Sequence, residues 1–152
     1  MLTRGVIAPW MAVVMIASAA YAQKPDFGTP AEAKAMLERT VAAMKADKAK
    51  TIDTINTGGA GFKDRDLYPA CSGLDGKVTA HPDKTRIGMD RNTMKDETGK
   101  AYGAEIMKVA EEGKIKEVSY MFPRPGPDKK PVQKVAYVTR VGDQVCLVGY
   151  YK

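Results

Sequence analysis

One histidine and two cysteines are the scarce reactive side chains of this 152-residue sequence. His81 stands directly before Pro82. Its imidazole alone titrates near neutrality without help, so it is the only candidate base. No Ser, Cys or acid stands in a recognised catalytic arrangement with it, and a structural hydrogen-bonding role is the competing reading. One His and two Cys fall short of the four ligands that a structural zinc site uses. No metal, cofactor or catalytic set is therefore read from the sequence. Cys71 and Cys146 lack C-x-x-C spacing, which argues against a thioredoxin-like redox site.

What the cysteines do depends on the compartment, and the N-terminus indicates one. Arg4 precedes an apolar run that ends at Ala20-Tyr21-Ala22, the small-x-small pattern of a signal-peptidase site. Residues 1–22 read as an export signal and residues 23–152 as the mature domain; a retained N-terminal anchor is the alternative. In an oxidising compartment an even pair of cysteines is expected to form a disulfide, with two separate buried thiols as the other possibility. Closing so long a loop is worth about 4 kcal/mol in the chain-entropy model.

The composition is 44% hydrophobic and 28% charged, an ordinary globular mixture that excludes a disordered or coiled-coil chain. The 24 Lys plus Arg against 18 Asp plus Glu give a formal charge of +6. The excess is spread along the chain, and with export it speaks against a nucleic-acid partner.

Thr29-Pro30-Ala31-Glu32 reads as a helix start. The apolar stripe Met36, Leu37, Val41, Met44, Ile52, Ile55 extends a long helix over about 29–57, with a second cap or mild kink at Asp47 and a stop at Gly58-Gly59. The stripe is expected to pack on a sheet; a homodimer seam along this N-terminal helix is the alternative. Residues 67–71 and 77–81 read as a hairpin around Asp75-Gly76. A polar loop over 82–100 and a short helix over 101–112 follow, then strands at 115–122, 132–140 and 145–150, with a proline-rich tip at 123–131. Consecutive apolar residues in the last two strands place them centrally. The expected architecture is α+β with one antiparallel sheet.

Three ordered stretches resemble the single Cache domain family of type 2. They are Asp75 to Pro82 with Ile87-Gly88; Asp96 to Gly103; and Val118 to Pro125 with Lys134 to Val138 and Gly149-Tyr150-Tyr151. The resemblance implies a PAS-like fold: a five-stranded antiparallel sheet, a long N-terminal helix on one side and a ligand pocket on the other, over about 65–151. It also makes the strands carrying Cys71 and Cys146 neighbours. Members of this family sense small molecules outside the cytoplasm, often within a chemoreceptor or histidine kinase. No second membrane span or output domain is read here, so the resemblance implies a free-standing periplasmic binding module, with a membrane receptor or kinase ectodomain as a possible partner. Its ligand would be a small molecule such as a short organic acid or amino acid. The implied ligand contacts are His81, Tyr102, Tyr120, Arg124 and Tyr137, with arginine supplying a planar fork for a carboxylate. Arg124 is the preferred anion contact. Arg86 and Arg91 are read as surface residues, and Lys134 as equally able to reach pocket rim or solvent. A disulfide-containing redox enzyme and a helix-mediated interaction protein are the functional alternatives.

Overall fold

The computed structural model describes residues 26–59 and 61–152, so the expected export signal lies outside the described residues. Helix α1 (Pro30–Ala46) starts in a capping box. The Thr29 hydroxyl accepts the Glu32 amide at 3.3 Å, and the Glu32 carboxylate accepts the Thr29 amide at 2.9 Å. The backbone bond from Thr29, and then Arg65, hold the Glu32 carboxyl down at about 2. Asp47 takes an extended conformation that ends α1, and its carboxylate caps the Lys50 amide at 3.0 Å to start helix α2 (Lys48–Asn56). The expected long helix is thus two, broken at the anticipated cap. Gly58, at φ 68°, closes α2.

Five strands form one antiparallel sheet: β1 (Pro69–Gly73), β2 (Val78–Ala80), β3 (Lys116–Pro123), β4 (Pro131–Val141) and β5 (Gln144–Tyr151), in the order β2-β1-β5-β4-β3. The two apolar strands lie inside the sheet, as expected. The first strand begins later than the predicted 67–71, because Asp64 and Leu67 exchange backbone hydrogen bonds and hold Leu67 in a turn. Helix α3 (Tyr102–Val109) stops short of the expected 112. There the chain turns extended at Ala110, and Glu112 bridges to Arg140 instead. The loop after β2 holds two 3-10 turns, Lys84–Arg86 and Arg91–Thr93. Residues 88–90 between them bond back to β2 and cover its edge.

Strand alternation divides the side chains between two cores. One holds Ala33, Met36, Leu37, Met44 and Ile55 against Cys71, Cys146 and Val148. The helical stripe is thus spent on the sheet. Within this core Cys71 and Cys146 face each other across β1 and β5, with Cα atoms 4.1 Å apart, and are joined by a disulfide closing 75 positions. Both cysteines are fully buried. The second core packs α3 on the opposite face against Ala70, Val118, Tyr120, Ala136, Val138 and Leu147.

Candidate functional site

The second core is not filled to its edge. Toward the ends of β1, β3 and β4 it opens into a small cavity of about 30 Å³, room for one or two water-sized groups. Its walls come from every element on that face. Tyr102 of α3 and Tyr120 of β3 stack with ring centroids 4.1 Å apart and planes within 5°. Burial pushes both phenols above their ordinary range.

Three cations stand beside the aromatic and apolar groups of this lining: the half-buried Arg86 and two that are buried, Lys134 and Arg91. Lys134 lies on β4 in phase with Ala136 and Val138, so the pleat turns it inward, and only 2% of it is exposed. Its stem crosses Gly149 of β5, where a Cβ would come within 2.3 Å of Lys134 Cε. The ammonium donates to Tyr68 Oη at 3.1 Å and Tyr151 Oη at 3.3 Å and sits over the rings of Tyr68, Tyr151 and Phe122 at 4.5, 4.8 and 5.1 Å. Burial raises the Tyr68 phenol, but the charge and hydrogen bond of Lys134, with the Tyr151 hydroxyl and the Arg86 charge, together outweigh it and the net direction is down. The second buried cation, Arg91, is 5% exposed and donates from Nε to Ser72 Oγ at 2.6 Å. Burial lowers its pKa. Gly103 lets α3 rest on the Arg91 carbonyl, which a Cβ there would strike at 1.8 Å, and so fixes where Arg91 enters the site. Neither buried cation has a carboxylate partner among the described residues.

His81 closes the cavity at the end of β2. The Asn56 side chain grips the backbone on either side, accepting from the His81 amide at 2.8 Å and donating to the Thr79 carbonyl at 3.1 Å. The ring Nδ1 stands 2.9 Å from the Asp83 amide and 3.2 Å from the Asp83 carbonyl; as acceptor of the shorter bond it puts the ring proton on Nε2. Burial first, then the charges of Arg86 and Lys134, hold His81 down at about 4, so it is neutral at pH 7.

Tyr68, His81, Arg86 and Phe122 also line a second, open cleft of about 300 Å³ outside the cavity. The Arg86 guanidinium lies 4.9 Å over the Phe122 ring, where the two spaces share a wall. Arg124 lines this outer cleft. It stacks over Phe27 at 4.1 Å, and its Nε stands 3.8 Å from the buried Asp66 carboxylate.

The chain over residues 11–149 matches the family model described as single Cache domain 2. This chain belongs to the single Cache domain 2 family. Its Cache fold is shared by a methyl-accepting chemotaxis protein from Vibrio parahaemolyticus RIMD 2210633, 22% identical with a TM-score of 0.66 over 80% of this chain and 86% of that one. The periplasmic sensor domain of a chemotaxis protein matches at 21% identity and TM-score 0.59, over 78% of this chain and 87% of that one. A Cache chemosensory domain described for carboxylic acid recognition matches at 21% identity and TM-score 0.55, over 78% of this chain and 85% of that one. No curated protein matches the chain.

Within this Cache domain His81, Tyr102 and Tyr120 meet around the inner cavity. Tyr137 does not. It is out of phase with Lys134 and Ala136 on β4, so it points to the helix side and packs 5.7 Å from the Tyr150 ring. Arg124 belongs to the outer cleft, because the chain leaves the sheet at Pro123 and turns toward Asp66. Arg91, expected at the surface, is buried in its place. Tyr68 and Tyr151 are not among the contacts the resemblance implies. The spacing Lys134, Ala136, Val138 was the available signal for Lys134: a lysine in phase with a buried face.

Proposed function

We propose that this Cache domain binds a small carboxylate in the inner cavity and serves as an extracytoplasmic sensory module. One observation carries the reading. Arg91 and Lys134 bring two buried positive charges to one small cavity with no carboxylate among the described residues to balance them. Unpaired buried charge is costly, and a bound anion would offset that cost with charge-assisted hydrogen bonds. The cavity matches a carboxylate head in size, and the Tyr102–Tyr120 stack offers it a flat apolar wall. The neutral His81 adds one Nε2–H donor. The carboxylic acid recognition named for one structural relative supports the same ligand class. The buried disulfide fits an oxidising compartment. It offers no exposed sulfur for the redox-enzyme alternative.

Isothermal titration with acetate, propionate and other short acids tests the reading. Binding that Arg91→Gln and Lys134→Met each abolish is the expected result. No heat with any acid at millimolar concentration, or binding indifferent to both substitutions, would reject it. Intact mass of periplasmic material tests the export proposal, with a chain starting at Gln23 as the expected product.

A further inference from the structure

The outer cleft has its own chemistry. Its walls carry Lys63, Arg65, Arg86, Arg124 and Lys129, with Asp83 as the one acid among the lining residues. All three arginines have carboxylate partners: Arg65 has Glu32 and Asp64, Arg86 has Asp83 at 3.9 Å, and Arg124 has Asp66 at 3.8 Å. The last pair stands apart, with Arg124 Nε and Asp66 Oδ2 both buried and neither hydrogen-bonded. Lys63 and Lys129 are exposed and have no ion pair among the described residues. The cleft is therefore a net positive vestibule that shares Tyr68, His81, Arg86 and Phe122 with the inner cavity.

Size decides what the two spaces can hold together. The inner cavity, at about 30 Å³, accepts one carboxylate head and little more. Any longer ligand must place its remainder in the vestibule of about 300 Å³, past the shared wall of Arg86 and Phe122. A cationic vestibule favours a remainder that is itself anionic. We propose that the ligand is a short dicarboxylate, one acid group held between Arg91 and Lys134 and the other in the vestibule by Arg86, Arg124, Lys63 and Lys129. This rests on the reading of the inner cavity as a carboxylate site and specifies its ligand class.

The test compares acids of equal length on the full chain: succinate with butyrate, and glutarate with valerate, by titration calorimetry at low and high salt. The dicarboxylates should bind about tenfold tighter at low salt, the size of two partly screened charge contacts. The advantage should shrink at high salt. It should fall in Lys63→Gln/Lys129→Gln, which touches no buried group, and in Arg124→Gln, while butyrate affinity stays unchanged in the double substitution. Monocarboxylates binding as tightly as their dicarboxylate partners, or an advantage that survives the double substitution and also Arg124→Gln, would overturn the vestibule proposal and leave the inner site standing. Failure of every acid to bind would instead reject the carboxylate reading and the vestibule proposal with it.

Discussion

Replacing Lys134 by methionine separates stability from binding, because the two should move independently. Methionine nearly matches the lysine stem in volume and is flexible enough to follow the same path over Gly149. The substitution removes two hydrogen bonds, at 3.1 and 3.3 Å, both toward the long end of the range. At about 1.5 kcal/mol each, with about 1–2 kcal/mol for the three ring contacts, the loss is about 4–5 kcal/mol. Against it stands the relief of burying an ammonium with no counter-charge, itself several kcal/mol. Tyr151 keeps a partner, since its hydroxyl donates to the Pro123 carbonyl at 3.0 Å. The ligand-free variant should therefore melt within about 5 °C of the wild type. Carboxylate affinity should fall roughly 100-fold or more, the cost of removing one side of a buried charge pair. Thermal melting and titration calorimetry on the same preparations read both quantities. A loss above about 3 kcal/mol without ligand would make Lys134 a structural residue, and unchanged affinity would remove it from the site.

Gly149→Ala should push the Lys134 stem aside, destabilise by about 1–3 kcal/mol and weaken binding; the penalty should be smaller in the Lys134→Met background if the clash at 2.3 Å is its cause. Reducing the disulfide should lower the melting temperature by roughly 10–15 °C, from about 4 kcal/mol of lost loop constraint; an unchanged melt under reducing conditions, with the thiols shown to be free by mass, would contradict this. His81 is held neutral in the fold down to about 4, whereas an unfolded chain takes up that proton around 6.5. The unfolded state thus binds more protons in this window, and stability should fall as pH drops from 6.5 toward 4, by about 2–3 kcal/mol at pH 4.5. Denaturant unfolding of wild type and His81→Gln at pH 7 and 4.5 measures it, and parallel pH dependence would exclude His81 as the source.

Much of the fold was legible because it follows from local rules. Thr29, Pro30 and Glu32 start a helix by satisfying its first amides, and Asp47 can end one helix and cap the next. Asp75-Gly76 turns a hairpin because glycine accepts the positive φ, 85°, found there. Consecutive apolar residues in β4 and β5 require cover on both faces. An expected export signal together with an even cysteine pair made a disulfide the expectation. The site was legible only in part. His81, Tyr102 and Tyr120 could be gathered by resemblance, but Tyr137 was placed on the wrong face.

The amino-acid sequence by itself determined the order of helices and strands and made the bridge the expected state of the two cysteines. Tertiary structure alone decided which cations are buried. Arg91 lies in a polar loop, and nothing local shows that α3 settles over its carbonyl at Gly103 and draws the guanidinium under the sheet. Lys134 begins an apolar stretch, and whether it snorkels to solvent or stays inside depends on Gly149, Tyr68 and Tyr151, contributed by other strands and the turn before β1. Burial of a charge is set by what surrounds it from every side. That information lies in side chains far apart along the chain, brought together only by the pairing of β1, β5 and β4.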